Sequence, residues 1–157
     1  EKTARSIRRG YPLPVYEDAL HRLKAAGITV IVHVILGLPG ESREMMLATI
    51  DYLGGSHRPD GIKLQLLHVL EGTDLAAEYR AGKFQTMEME EYWDILCACL
   101  ERLPPDMVIH RLTGDGPKKL LLAPLWTANK KLVLNELNRQ LERRNIIQGS
   151  AYLPGQG

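Results

Sequence analysis

The stretch Ile28-Thr-Val-Ile-Val-His-Val-Ile-Leu36 is almost continuously apolar and β-branched, and segments of helical period flank it on both sides. Such a run fits a strand covered on both faces, the environment a parallel sheet provides. Upstream, Tyr16, Ala19, Leu20 and Leu23 recur at helical spacing. Pro14 suits a helix entrance and Gly27 stands where a left-handed C-terminal cap belongs, so a first helix runs to about Ala26. Downstream, Ser42 caps a second helix whose face reads Met46, Ile50 and Leu53, and Gly54-Gly55 ends it.

The alternation continues. Ile62 to His68 reads as a strand, and Thr86 opens a helix to about Leu103. Glu88, Glu90 and Glu91 lie at that helix's dipole-positive end, and Pro104-Pro105 stops it. Met107 to Leu112 is a third strand, and Leu134, Leu137 and Leu141 mark a final helix over about 129–144. The order implies an α/β fold with a parallel sheet and right-handed crossovers. A closed eight-fold barrel takes about 250 residues. The 157 residues here therefore predict a partial (β/α) barrel of about three parallel strands with flanking helices.

A hydrophobic share of 45% with 25% charged residues gives one soluble domain with a core. The longest apolar stretch contains His33 and falls far below the roughly 20 residues of a membrane span, so no membrane partner is expected. Cys97 and Cys99 alone rule out a disulfide framework and point to a reducing, cytoplasmic setting. Two positions apart on a helix, they face about 200° away from each other, so both are read as packing cysteines and no metal ligand is assigned. The start at Glu1, without an initiator Met or a signal pattern, reads as an excised portion of a longer chain. From Lys118 to Arg144 seven basic residues face only Glu136 and Glu142, a net of +5 that makes the final helix the candidate for an anionic partner.

In parallel βα architectures the loops that follow the strand C-termini form the ligand-binding edge. Three glycine-bearing loops fall there: Gly37-Leu-Pro-Gly-Glu41, Leu70-Glu-Gly-Thr73 and Thr113-Gly-Asp-Gly-Pro117. Glycines let backbone approach a ligand, although tight βα turns select the same residues. His33, inside a strand, and His68, at a strand end, have the pKa range of proton shuttles; for His33 a buried, hydrogen-bonded structural role is the more frequent outcome. His68, His110 and Arg111 read as substrate-side groups, and Asp115 either binds a substrate polar group or caps a turn.

His33-Val-Ile-Leu-Gly-Leu-Pro-Gly-Glu41 resembles the fifth-strand motif of the radical S-adenosylmethionine (radical SAM) superfamily. Leu66 to Thr73 is similar to that family's sixth strand and loop. Ile109 to Pro117 with Leu122-Ala-Pro-Leu-Trp126 resembles the C-terminal signature of a branch described as predicted iron-sulfur oxidoreductases, which Arg8-Arg-Gly10 also fits. The resemblance spans nearly all of residues 1–157, read as the C-terminal part of such a barrel. It implies S-adenosylmethionine and a [4Fe-4S] cluster in the intact parent, which would generate a 5′-deoxyadenosyl radical to abstract hydrogen from substrate. It places Gly37, Leu38, Pro39, Gly40 and Glu41 beside the adenine, with Leu67, His68 and Val69 on its other side; Glu41 could instead be an ordinary carboxylate at a helix start.

One departure is decisive. The family's Cys-x3-Cys-x2-Cys triplet is missing, so the cluster ligands are expected in an absent N-terminal half, and this chain alone is expected to be inert. An unpartnered sheet edge is then expected to drive self-association. Two other classes stay open. One is a stand-alone nucleotide- or phosphate-binding module, although Gly37 to Ser42 lacks the Lys-Ser/Thr pair of a P-loop. The other is a nucleic-acid adaptor using the basic final helix, where Trp126 is the only aromatic in the basic stretch. Within the enzyme reading, that helix would dock an RNA or protein substrate.

Overall fold

The computed structural model describes residues 2–114 and 116–154. In chain order the elements are α1 (Lys2–Ser6), α2 (Leu13–Ala25), β1 (Ile31–Leu36), α3 (Arg43–Gly54), β2 (Gly61–Leu66), β3 (Val69–Leu70), α4 (Asp74–Arg80), α5 (Met89–Arg102), β4 (Val108–Arg111), β5 (Leu121–Ala123), a 3-10 turn (Leu125–Ala128) and α6 (Lys130–Arg143). Strands β1, β2 and β4 form one sheet in that order, with parallel pairing throughout. This is the α/β arrangement expected from the alternation. All three strand C-termini therefore meet at one edge, and the loops after Leu36, Leu66 and Arg111 leave from it.

Local chemistry fixes the helix ends. Gly27, at φ +70°, closes α2. Its N–H donates to the Lys24 carbonyl at 2.9 Å and that of Ile28 to Leu23 at 3.0 Å, the paired bonds of a Schellman cap. The Ser42 hydroxyl accepts from the Met45 N–H at the start of α3. Thr86 does not open α5: the cap is Glu88, whose N–H donates to the Glu91 carboxylate at 2.9 Å, because a carboxylate three residues into the helix reaches back to an orphan donor.

Helices α3 and α5 cover one face of the sheet. Leu36, Ile62, Leu64 and Leu66 point into that layer with Ile50, Leu53, Trp93 and Leu96, all buried. Each such side chain contributes roughly 1.5–3 kcal/mol through apolar area removed from water. The opposite face is open, which corrects the expectation that the first strand is covered on both sides: Val34 and Leu36 are buried, whereas His33 and Ile35 are exposed. The physical reason is that β1 is an edge strand with helices on one side only. A second small cluster, Val69, Ala76 and Ala123, sits under the antiparallel ribbon of β3 with β5. That ribbon ends the expected 62–68 strand at Leu66.

No helix among the described residues is long and apolar enough to cross a membrane.

Candidate functional site

The first glycine loop is a turn built by its sequence. The Glu41 N–H donates to the Leu38 carbonyl at 3.0 Å, with Pro39 and then Gly40 at the two central positions. Gly40 has φ +80°, the value a type II turn requires there. Nothing lies within 4 Å of the point where a Gly40 Cβ would sit, so the space over this turn is open. Gly37, at φ +81°, is hemmed in: a Cβ there would lie 3.3 Å from Met87 Cγ and Sδ and 3.6 Å from Leu66 Cδ1.

Leu38 and Glu41 line a groove of about 650 Å³ that follows β1, shared with Thr3, Tyr11, Val32 and Met45. Burial pushes the Glu41 carboxyl above its usual range, and a hydrogen bond from Thr3 partly opposes this. The groove joins the turn to the free side of β1, which among the described residues pairs only with β2.

The second segment lies beside the first, since the Leu67 N–H donates to the Leu36 carbonyl at 2.9 Å. Leu67 and Val69 are buried, and Val69 belongs to the β3–β5 ribbon. His68 is half-buried between the second and third loops. A Cβ on Gly114 would lie 2.8 Å from its Cε1, and one on Gly116 would lie 2.8 Å from its Nδ1. The glycines of the third loop thus have a packing reason as well as a turn reason. Gly116→Ala is expected to cost about 1–3 kcal/mol by overpacking. The cost should vanish in a His68→Ala background, and a double-mutant cycle on thermal midpoints checks this.

His110 lies over Gly61, where a Cβ would come within 2.9 Å of its Cδ2. Arg111, at the end of β4, lines a cavity of about 180 Å³ with Thr113, Gly114, Trp126 and Lys130. Asp115 lies outside the described residues. Strand pairing brings the Gly37–Glu41 and Leu67–Val69 segments together, and His68 joins the latter to the third loop.

His33 is the main correction among the candidates. It is exposed on the open sheet face, with Nδ1 3.1 Å from Gln65 Nε2, because β1 has no second layer over it. Partial desolvation by its neighbours on the sheet and the positive charges of Lys63 and Arg111 hold its imidazole below the usual range. Lys63 and Gln65 were not among the sequence candidates. The strict alternation Ile62-Lys63-Leu64-Gln65-Leu66 is the signal that puts both on the face opposite the core.

The residues present do not suit an iron–sulfur cluster. Cys97 and Cys99 are buried in α5, and burial raises both thiols, that of Cys99 to about 12. Among the described residues no group of three His, Cys, Asp or Glu side chains is placed to hold a metal ion. The open turn at Gly40 does suit a flat ring laid on backbone.

Comparison with known proteins gives a family match, two relatives and a solved structure of like fold. Residues 59–143 match the Radical_SAM C-terminal domain. YtqA of Bacillus subtilis (strain 168) is 39% identical over 152 residues, 97% of this chain and 47% of that protein. YhcC of Escherichia coli (strain K12) is 33% identical over 151 residues, 96% of this chain and 48% of that protein. The chain thus spans about half the length of these curated relatives. Among solved structures, the archaeal Methanocaldococcus infernus Elp3 with an N-terminal deletion superposes with a TM-score of 0.77 at 22% identity, covering 94% of this chain and 34% of that one. That likeness is one of fold.

Proposed function

Because the chain belongs to the Radical_SAM C-terminal domain family, we propose that it is the S-adenosylmethionine-side portion of a radical SAM enzyme, with its glycine turn holding the adenine. The observation that carries this reading is the Gly37–Glu41 turn at the C-terminal end of β1, open above Gly40 and continuous with the groove along that strand. Glycine at positive φ presents bare backbone to a ring, and the neighbouring Leu67 backbone offers a second wall. Glu41, with a carboxyl held above its usual range, is positioned at the same turn to accept from a donor on the ligand.

When bound in the intact enzyme, S-adenosylmethionine supplies the source of the radical; this chain's residues bind and orient the adenosine part and keep water from it. The two thiols of this chain are buried in its core and are not placed to ligate a cluster. The half-length match to YtqA and YhcC supports placing the cluster ligands elsewhere in a longer protein. The unpaired edge of β1 and its groove are where the rest of that barrel would join.

Calorimetric titration with S-adenosylmethionine and with adenosine is expected to give weak heats of similar size for both. Gly40→Val should lose them, because a β-branched residue at φ +80° forces the turn to rearrange. Tight binding of S-adenosylmethionine, or its reductive cleavage by this chain alone, would overturn the proposal.

A further inference from the structure

The open face of the sheet carries a row of basic groups. Register pairs His33 with Lys63 and, past a bulge at His110 that shifts the β2–β4 pairing, Lys63 with Arg111, so one residue from each of the three strands stands in line across the sheet. Gln65 lies one step further along and bonds His33. The strands read Ile-Val-His-Val-Ile-Leu, Gly-Ile-Lys-Leu-Gln-Leu and Val-Ile-His-Arg, with no carboxylate among them. Neither Lys63 nor Arg111 makes an ion pair among the described residues, whereas Arg58, Arg80, Arg102 and Arg144 each hold a carboxylate. Like charges on adjacent strands oppose pairing.

We infer that this open face binds a phosphate-bearing ligand, held by Lys63 and Arg111 with His33 and Gln65 beside them. The row spans two strand spacings, about 10 Å. A phosphate carries more charge and more acceptor oxygens than a carboxylate, enough to meet a lysine and an arginine on neighbouring strands at once. The inference rests on the proposed function in one respect: if the sheet is part of a barrel, this face lines its interior next to the adenine turn, and the ligand is the substrate's phosphate.

The test uses the chain as it stands, with inorganic phosphate, acetate and S-adenosylmethionine as separate probes at fixed ionic strength, followed by NMR. Phosphate should shift the amide signals of β2 and raise the His33 titration midpoint, since an anion beside the imidazole favours its charged form. Lys63→Ala and Arg111→Ala should each weaken phosphate binding about tenfold, an ordinary loss for one charge-assisted contact. Lys131→Ala on α6 should leave it unchanged. Lys63→Glu should lose phosphate binding while raising the thermal midpoint, because it turns a repulsive pair with Arg111 into an attractive one. This separates lost binding from lost folding.

Equal binding of acetate and phosphate, or phosphate binding that survives Lys63→Ala, would overturn the inference. If S-adenosylmethionine competes with phosphate for the basic row, the face belongs to the cofactor and the inference falls. Lost adenosine binding with phosphate binding intact would instead remove the proposed function and leave the phosphate site standing.

Discussion

Gly61→Val should cost about 3 kcal/mol or more and leave little folded protein at 37 °C. At the first residue of β2 an added Cβ would lie 2.8 Å from Ile31 Cδ1, 2.8 Å from the Val108 carbonyl oxygen and 2.9 Å from His110 Cδ2. A side chain can turn away, but the Val108 carbonyl cannot, because it belongs to the strand that Gly61 pairs with. Relief therefore requires β4 to move off β2. The typical margin of a domain is about 5–15 kcal/mol, so one such clash removes a large fraction of it. Gly40→Ala is the contrasting variant: φ is +80° but no atom lies nearby, so only the left-handed backbone cost of about 1–2 kcal/mol applies. Urea unfolding followed by circular dichroism ranks the two, and a Gly61 variant as stable as the Gly40 one would show that the sheet accommodates the added atoms.

The difference between these two glycines was not readable from the chain. Both sit next to apolar runs, and the sequence signals only that Pro39-Gly40 makes a turn. Gly61 is set by the approach of two neighbouring strands, one of them 47 residues downstream at Val108. Elements with long period were legible: α2, α3, α5 and α6 each carry an apolar stripe, and the three parallel strands follow from apolar runs between them. Short pieces were not. Helix α4 has only seven residues, two turns at most, and the β3–β5 ribbon has two residues on one strand and three on the other, too few for any periodicity to register.

The site divides in the same way. The Gly37–Glu41 turn was visible because turn chemistry is local, and the shared edge followed from parallel order. What an apolar run hides is which face is covered. His33 sits among five valine, isoleucine and leucine residues in β1, and only the absence of a second layer exposes it. On β2 the alternation was complete, so Lys63 and Gln65 could have been assigned to the open face from sequence. On the basic final helix the sequence shows the charges but not the contacts they make. Arg139 pairs with Glu136, Arg143 bonds Gln140, and Arg144 meets both Asp94 and Glu90. Glu136 already belongs to the stretch whose net charge is +5 and Gln140 is neutral, so of these contacts those of Arg144 alone bring in carboxylates from outside it.

Trp93→Ala should be the most damaging single change, by about 3–5 kcal/mol from lost burial and the cavity left behind. The indole is fully buried, with its ring centroid 5.4 Å from that of Tyr92 and 5.9 Å from that of Trp126. Those two neighbours fasten the site loops. The Tyr92 hydroxyl donates to the Leu112 carbonyl at 2.8 Å, at the root of the third glycine loop, and the Trp126 indole N–H donates to the Met87 carbonyl at 3.1 Å. Met87 in turn packs where a Gly37 Cβ would be, under the first loop. Loss of Trp93 therefore loosens both loops along with the core. Trp93→Phe isolates the two effects: the Trp93 indole nitrogen has no hydrogen-bond partner among the described residues. Phenylalanine thus gives up volume but no bond, and it should cost well under half as much as alanine. Thermal unfolding measures the stability, and Trp126 fluorescence in the Trp93→Phe protein reports whether the loop anchor stays buried. Equal losses for alanine and phenylalanine would mean that the indole nitrogen, rather than the ring, holds this part of the core together.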